Sequence, residues 1–304
     1  MKKIKFQGGL TKLVTSKLGK TNKKRFETFI EQDLASFTKH LIQKTIQIDV
    51  VSFSSNRDFG EQVLSILSFL RYVGKPTHWT IYSDGSHTEQ QLQILESSFK
   101  FVEVKIQSVN KESVSKDCKT SLLPYLDSLL DYAVKFPLGK KLFFYLNHVI
   151  EQPTLFLDSD ILFYDKASII NILLSDEANG WFLPDDAWGC LDSRYKAENT
   201  TQLYQVNSGF FLLNCELVNL TKGVNFLQSL NGKYEYFSEQ TTYHILFKDN
   251  NFMPLDPRIF VLNSDDQFDF SYILPRNKMA IRHYTGTVRH KMWQRDWKWQ
   301  LSLK

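Results

Sequence analysis

Two aspartates separated by a single residue are the side chains of this sequence best suited to bind a metal ion. The apolar run TLFL at 154–157 predicts a short buried strand, and it leads directly into Asp158, Ser159 and Asp160. Both carboxylates could point toward one hard cation, because Mg²⁺ and Mn²⁺ prefer a few carboxylates together with phosphate oxygens and water. Beside a buried strand, ionised carboxylates are costly unless a cation or ligand accepts them. The alternative is a solvated turn, since such a triplet also arises by chance.

The segments that precede this pair alternate between strand and helix patterns. Strands are predicted at 46–53, 78–85 and 101–109, and helices at 59–74 and 88–99. This strict succession predicts parallel strands joined by right-handed crossovers. Two further helices, at 122–136 and 140–150, lead to the strand before Asp158. The two aspartates are therefore expected at the carboxyl end of a strand, where open α/β sheets bind ligands.

Beyond the aspartates the pattern continues, and the two ends of the chain differ from its middle. Strands are predicted at 180–186, 204–214 and 278–284, and helices at 167–176, 238–247 and 292–304. Residues 1–24 predict a loose basic start, and 26–43 an amphipathic helix. Since no linker rich in Pro, Gly or Ser separates autonomous domains, we predict one catalytic domain at 46–288, with appendages at 1–45 and 289–304.

The composition excludes several classes of protein. The 304 residues carry a net charge of +4, and Lys and Arg concentrate near the two ends, which argues against a nucleic-acid-binding surface across the molecule. Cys118, Cys190 and Cys215 show no CxxC spacing, so we expect three reduced, mostly buried thiols. No apolar stretch reaches the length of a membrane span or follows the basic start as in a signal peptide. We therefore predict a cytoplasmic protein, whose basic ends could contact a membrane peripherally or form solvated tails.

Four short segments in the second half of the chain carry a family resemblance. They are LFLDSDILF at 155–163, QVNSGFFLLN at 205–214, SEQTTYHIL at 238–246 and RHYTGTVRHKMW at 282–293. In this order and separation they resemble the landmarks of GT-A glycosyltransferases, and they are closest to the family 8 type that includes glycogenin-like and galactosyltransferase enzymes. The resemblance spans residues 49–293 and implies an α/β/α sandwich with a mixed central sheet.

The resemblance implies a cation site. Asp158 and Asp160 would bind the Mn²⁺ or Mg²⁺ ion that bridges the donor diphosphate, with Ser159 beside the donor, and His283 would supply a third ligand. Taken alone, a histidine in an apolar strand is more often a core or surface residue, so its role as a ligand depends on the resemblance.

A cationic side chain is expected to meet the diphosphate. Gly286 follows the histidine as in the family, where a Lys and a Pro-Trp pair come next. Here extra residues precede the lysine, and Met292 stands where Pro is usual. Lys291 keeps the pairing with Trp and Arg289 keeps the spacing from the glycine, so either could offset the charge developing on the departing nucleoside diphosphate.

Other positions are implied to contact the donor. Lys141 lies where the family places a basic residue on the helix before the aspartates, although a helix-capping or solvated lysine is the alternative. Ser54 and Asn56 follow the first strand, where the resemblance puts contacts to the base or ribose. Family members often have an acidic residue near Ser54, and its absence leaves the base open. Asn207, with Ser208 and Gly209 after it, would form a small polar turn that lets the sugar approach the backbone.

The remaining implied positions are on the acceptor side. Glu239 and Gln240 match the family's acidic-Gln pair near the anomeric carbon, where either could stabilise an oxocarbenium-like transition state. The alternative is an ordinary helix start with Ser238 as its cap. Asp185 and Asp186 could bind sugar hydroxyls or form a turn.

These features predict a metal-dependent glycosyltransferase that takes a sugar from a UDP-sugar more readily than from a GDP-sugar, with retention of configuration. The acceptor, whether a glycan, a lipid or a protein, is not predicted. A non-catalytic nucleotide-sugar-binding protein of the same fold is the first alternative. A sugar nucleotidyltransferase is the second, but SFSSNRDFG at 52–60 is a poor version of the Gly-rich basic loop that such enzymes carry after their first strand.

Overall fold

The computed structural model describes residues 5–39, 41, 44–185, 189–196, 204–269 and 273–302. The strands in chain order are β1 (Asp49–Ser54), β2 (His78–Ser83), β3 (Val102–Ile106), β4 (Thr154–Asp158), β5 (Ile161–Phe163), β6 (Gly180–Asp185), β7 (Gln205–Leu213), β8 (Met253–Pro254), β9 (Phe260–Val261) and β10 (Ile281–His283). The α-helices are α1 (Lys5–Gln32), α2 (Leu34–Lys39), α3 (Phe59–Tyr72), α4 (Glu89–Ser98), α5 (Lys111–Asp117), α6 (Leu126–Lys135), α7 (Pro137–Asn147), α8 (Ile170–Leu173), α9 (Thr221–Ser229), α10 (Ser238–Asp249), α11 (Arg289–Lys291) and α12 (Trp297–Leu301).

A seven-stranded mixed sheet with the order β3-β2-β1-β4-β7-β6-β8 forms the centre of the molecule. The first four strands of this order are parallel, which confirms the prediction from the alternating pattern. β7 runs antiparallel to both β4 and β6. Phe53 of β1 lies opposite Asp158 of β4, so these neighbouring strands end at the same edge of the sheet.

A second, three-stranded sheet with the order β5-β10-β9 brings a distant part of the chain to this edge. β5 follows the aspartates directly and pairs antiparallel with β10, so that Ile161 lies opposite His283. The periodic patterns did not predict β5, β8 or β9, because strands of two or three residues are too short to show a period.

Helices cover both faces of the central sheet and form an α/β/α sandwich, as predicted. Alternate residues of β4 point to opposite faces, as strand geometry requires. Leu155 and Leu157 join the hydrophobic core that includes α3, whereas Phe156 joins the core formed with α6, α7 and α10.

The N-terminal segment differs from the prediction. Within the described residues, α1 begins at Lys5, so the predicted loose start at 1–24 is wrong for residues 5–24. Contacts with the far end of the chain explain the helix: Asn22 Nδ2 donates to the Trp293 carbonyl at 2.9 Å, and the rings of Phe26 and Trp293 are 5.4 Å apart. The predicted helix at 26–43 is divided between α1 and α2, and residues 40, 42 and 43 lie outside the described residues. The division into 1–45, 46–288 and 289–304 stays a prediction.

The C-terminal segment is helical, as predicted, with a π-helical stretch at Met292–Asp296 before α12. Trp293 and Trp297 are buried against Phe26. Trp299 donates its indole N–H to the hydroxyl of Tyr72 at 2.9 Å. These tryptophans therefore pack against the domain.

All three cysteines are free, but the prediction that they are mostly buried is wrong. Cys215 is exposed, and Cys118 and Cys190 are only partly buried. None of the helices in the described part of the chain combines the length and the apolar character that a membrane span requires.

Candidate active site

A cleft of about 310 Å³ lies at the carboxyl end of β4, with walls from β6, β7, β10 and the start of α10. Most of the predicted site residues line it: Lys141, Asp158, Asp160, Asn207, Glu239, Gln240, His283, Gly286 and Arg289. These positions are far apart in sequence, and the two sheets together bring them to one place.

Asp158, Asp160 and His283 form a cluster whose donor atoms all lie within 4.8 Å of one another. The Nε2 atom of His283 is 3.2 Å from Asp160 Oδ1 and 3.6 Å from Asp158 Oδ2. Asp160 and His283 are buried, whereas the Asp158 side chain is 30% exposed toward the cleft. Two carboxylates and one imidazole suit a divalent cation such as Mn²⁺ or Mg²⁺, and the open side leaves room for ligand oxygens.

Hydrogen bonding fixes which histidine nitrogen faces the carboxylates. The Nδ1 atom of His283 lies 3.1 Å from Asn207 Oδ1, which also accepts from the Gly209 amide at 3.0 Å. An amide oxygen only accepts, so Nδ1 donates in this contact and Nε2 is the nitrogen that faces the aspartates. An outer partner that orients an imidazole in this way is typical of metal-binding histidines.

Gly209 is required by the position of this imidazole. A Cβ atom at Gly209 would lie 2.2 Å from Cε1 of His283 and 2.9 Å from Asn207 Oδ1. The sequence predicted a polar turn here that would let a sugar approach the backbone, but Asn207, Ser208 and Gly209 lie within strand β7, so the predicted turn is wrong. The space that a side chain would fill is occupied by the His283 ring, so the glycine packs against the cluster of Asp158, Asp160 and His283.

Arg289 extends the cluster by pairing with two aspartates. Its guanidinium donates to Asp160 Oδ2 at 2.5 Å and to Asp58 Oδ1 at 2.9 Å. Burial alone would raise the pKa of Asp160, but the neighbouring His283 and Arg289 outweigh burial and hold that pKa below its ordinary value. Asp160 is thus an anion even without a bound metal.

Lys141 lies between two carboxylates on the other side of the cleft. Its Nζ atom is 2.7 Å from Asp158 Oδ1 and 3.4 Å from Glu239 Oε1, and it donates to the Ser208 carbonyl at 3.1 Å. Burial would lower the pKa of Lys141, but Asp158 and Glu239 raise it above its ordinary value. Burial also raises the pKa of Glu239, although Lys141 and a 2.6 Å hydrogen bond from the Ser208 hydroxyl oppose this.

An amide network forms the third wall of the cleft. Gln240 Nε2 donates to the Cys190 carbonyl at 2.7 Å and to Asp185 Oδ2 at 3.2 Å, and Asn207 Nδ2 reaches the same carboxylate oxygen at 3.2 Å. Asp185 therefore holds both amides in place. Asp186 lies outside the described residues.

Four predicted positions do not line this cleft. Lys291 is fully buried, and its Nζ donates to the carbonyls of Asp266 and Asp269 at 3.0 and 2.6 Å. The other three are polar residues at the ends of the strands: Ser54, Asn56 and Ser159.

Ser54 and Ser159 are buried close to Asp158 and Asp160. Ser54 ends β1, beside β4, and Ser159 lies in the turn between β4 and β5. Asn56 is exposed, and its side chain accepts a hydrogen bond from Gln91 at 2.8 Å. Ser54 and Asn56 thus lie at the same edge of the sheet as the cleft, but they are not among the residues that line it.

Sequence reasoning missed Asp58 and the aromatic pair Tyr236 and Phe237. Asp58 holds Arg289, and no local pattern predicts a contact across 231 residues. Tyr236 is 70% exposed and lines the cleft together with Phe237. The signal available for this pair was its position directly before the predicted acidic-Gln pair, where exposed aromatic rings are suited to stacking on sugars or bases.

No model of a known protein family matches this sequence, and no curated protein matches it. Solved structures do match its fold. The galactosyltransferase LgtC, solved in complex with donor and acceptor sugar analogues, matches with a TM-score of 0.51 at 13% identity, over 83% of this chain and 99% of that chain. The bifunctional glycosyltransferase WbbM matches with a TM-score of 0.53 at 14% identity, over 84% of this chain and 50% of that chain. The predicted resemblance is confirmed at the level of architecture, and this chain has the GT-A glycosyltransferase fold.

Proposed function

We propose that this protein is a metal-dependent glycosyltransferase that uses a nucleotide-diphosphate sugar as donor, with a UDP-sugar preferred to a GDP-sugar. One observation carries the proposal: the cluster of Asp158, Asp160 and His283 lies at the carboxyl end of a central strand and opens into a cleft of a GT-A fold. Ligands of open α/β sheets bind at this edge.

Asp158, Asp160 and His283 would hold Mn²⁺ or Mg²⁺. When bound, the cation would supply positive charge that neutralises the diphosphate and assists its departure. The orientation of His283 by Asn207 supports this assignment, because it turns Nε2 toward the two aspartates, where this nitrogen could serve as a ligand.

Arg289 is the side chain we assign to the diphosphate. It lines the cleft and lies beside Asp160, where a guanidinium can donate two parallel hydrogen bonds to phosphate oxygens. Gly286 leaves open space in the same wall, since a Cβ atom there would meet nothing within 4 Å. The burial of Lys291 among carbonyl groups argues for a structural role at that position.

Ser54 and Asn56 are assigned to the base or ribose, with Ser159 beside the donor. The hydroxyl of Ser54 supports this, because it is buried and has no hydrogen-bond partner among the described residues. A buried hydroxyl without a partner is costly, so a ligand group that pairs with it would stabilise the complex.

Glu239 and Gln240 would lie close to the anomeric carbon. Lys141 and Ser208 hold the Glu239 carboxylate, and Asp185 holds the Gln240 amide. Either group, fixed in this way, could stabilise the oxocarbenium-like transition state of a retaining transfer without acting as a strong base.

The test is a panel of UDP- and GDP-sugars incubated with the protein, with release of the nucleoside diphosphate as the readout. We expect one donor to be hydrolysed or transferred only when Mn²⁺ or Mg²⁺ is present. Asp160→Asn should lose about 10³-fold in rate, because several kcal/mol of charge stabilisation are removed. Asp176→Asn, a matched change at an exposed turn, should keep the rate. The anomeric configuration of the first product, measured by NMR, tests retention.

Binding of a nucleotide sugar without any release of nucleoside diphosphate would instead support a non-catalytic binding protein of this fold. If the protein instead converts a nucleoside triphosphate and a sugar 1-phosphate, supplied in a parallel assay, into a nucleotide sugar and pyrophosphate, it is a nucleotidyltransferase. Neither outcome is compatible with the proposed glycosyl transfer.

A further inference from the structure

The outward side of α1 carries an unusual combination of exposed aliphatic and basic side chains. Four aliphatic residues between 40% and 64% exposed lie in its first half: Leu10, Leu13, Val14 and Leu18. Four exposed basic residues continue the same side: Lys17, Lys20, Lys24 and Arg25. We call these eight residues the α1 patch. The sequence from Lys5 to Phe26 contains no acidic residue.

The opposite side of α1 is fixed to the domain, so the patch faces outward. Thr15, Gly19 and Phe26 are buried, and a Cβ atom at Gly19 would be only 3.5 Å from the His290 carbonyl. Lys23 Nζ pairs with Glu61 at 2.5 Å. With about 100° of rotation per residue, the positions of the patch lie on the side away from these contacts. The patch is therefore the outward surface of a helix that is fixed to the folded domain.

We propose that the α1 patch binds the surface of an anionic lipid membrane, with α1 lying in the plane of the interface. Aliphatic side chains of such a helix enter the boundary between headgroups and acyl chains, while lysines and arginines contact anionic headgroups. Both kinds of side chain are present on one face, and the positive charge matches a negatively charged surface.

The charge of the patch also argues against a second copy of this chain as its partner. A two-fold contact would place the same patch on both sides of the interface, so two sets of Lys17, Lys20, Lys24 and Arg25 would be brought into one interface. Like charges in contact destabilise an interface. An anionic bilayer removes this repulsion and accepts the aliphatic residues as well.

The proposal is independent of the proposed transfer activity, because the patch does not line the cleft. The contacts of α1 nevertheless reach segments near the cleft. Lys23 Nζ donates to the Arg57 carbonyl at 2.7 Å, next to Asp58, which holds Arg289. Lys12 Nζ donates to Gln267 Oε1 at 3.0 Å. A membrane-bound α1 would thus keep a fixed position relative to the cleft.

The test is flotation of the full-length protein with vesicles of phosphatidylcholine alone or of phosphatidylcholine mixed with phosphatidylglycerol. We expect flotation only with the anionic vesicles, and weaker flotation at high salt. The triple change Lys17→Gln, Lys20→Gln and Lys24→Gln should reduce the vesicle partition coefficient roughly a hundredfold, from the contribution of each lysine near an anionic surface. Lys100→Gln, Lys116→Gln and Lys278→Gln, a triple of exposed lysines elsewhere, is the matched charge control and should keep binding.

A second variant, Leu10→Ser with Leu13→Ser and Leu18→Ser, tests the aliphatic half and should also abolish flotation. All variants change exposed positions, and circular dichroism with thermal unfolding checks that they are folded. The proposal is overturned if the wild-type protein does not float with anionic vesicles, or if the control triple loses as much binding as the patch triple. It is also overturned if the leucine variant still floats while a dimer of the wild-type chain becomes a monomer.

Discussion

Lys141 and Lys291 are both buried, but their surroundings have opposite character. Lys141 faces Asp158 and Glu239 at the wall of the open cleft, and these carboxylates raise its pKa despite its burial. Lys291 donates to two backbone carbonyls, close to Arg282, and burial lowers its pKa. Lys141 stabilises the negative charge of Asp158 and Glu239, which a bound metal cation could also stabilise. Lys291 ties a loop to the C-terminal segment.

This difference shows why burial alone does not identify a functional lysine. Near Lys291, the carboxylate of Asp266 is already paired with the guanidinium of Arg282 at 2.7 Å, so the cluster is closed. Near Lys141, Asp158 remains 30% exposed and also approaches His283. A charge cluster that is open to a cleft on one side can accept a ligand, and a closed cluster cannot.

The largest expected effect is that of Lys141→Met. It would leave Asp158 and Glu239 without their shared cation, and removing one partner of a buried ion pair lowers the free energy of unfolding by about 3–5 kcal/mol. Mn²⁺ should restore part of this loss, because it would neutralise Asp158. Urea unfolding with and without Mn²⁺ measures both effects. Lys140→Met, the change at the neighbouring position, is the control and should unfold like the wild-type protein. If Lys141→Met also unfolds like the wild-type protein, the account is contradicted.

The effect of Lys291→Met should be smaller and limited to the stability of the fold. The carbonyls of Asp266 and Asp269 would lose their donor, which lowers the free energy of unfolding by about 1–3 kcal/mol. Nucleotide affinity per folded molecule should stay unchanged, as measured by calorimetry below the unfolding transition. A stable Lys291→Met protein with weakened nucleotide binding would place this lysine in the donor site after all.

Two glycines of the cleft allow a matched comparison, because an added Cβ atom would collide with a neighbour at one position and meet open space at the other. In Gly209→Ala, the new Cβ would collide with the His283 ring, so cation affinity should fall about 10–100-fold, as for the loss of other groups that orient metal ligands. In Gly286→Ala, the Cβ would enter open space, so cation affinity should be kept. Titration of each protein with Mn²⁺, followed by electron paramagnetic resonance, measures this. Equal affinities in the two variants would argue against His283 as a ligand.

The smallest effect is expected for Arg289→Gln. It removes charge-assisted hydrogen bonds to the diphosphate, and the affinity for the nucleoside diphosphate should fall roughly tenfold. Cation affinity should not fall, because Asp160 would lose a competing cation. Arg295→Gln, at an exposed position nearby, serves as the control. Unchanged nucleotide affinity in Arg289→Gln would remove this residue from the proposed donor site.

The parallel pairing of the first strands and the position of the aspartates at a strand end could be predicted, because both depend on local periodicity. The run before Asp158 is apolar and short, and parallel strands end at one sheet edge. The helical start of α1 could not be predicted, because the contacts between Asn22 and Trp293 join positions 271 residues apart. Such a helix is stabilised mainly by tertiary packing, which leaves no signal in its own sequence.

The sequence alone also could not decide whether Arg289 or Lys291 faces the cleft. Two residues apart on a helical turn, they point about 200° away from each other, so only one can face the cleft. Which one does so depends on how α11 packs against the loop that holds Asp266 and Asp269. The proposed role of His283 as a metal ligand required the family resemblance, because a lone histidine in a three-residue strand has no diagnostic pattern.

The central claim is that Asp158, Asp160 and His283 hold a divalent cation that binds a nucleoside diphosphate. Isothermal calorimetry of the protein with UDP and with GDP, each with and without Mn²⁺, tests it most directly, with Asp160→Ala and Asp176→Ala as the matched pair. We predict that UDP binds only with Mn²⁺, that Asp160→Ala abolishes this binding and that Asp176→Ala keeps it. Absence of binding by either nucleotide under every metal condition, or equal binding by both variants, would contradict the account.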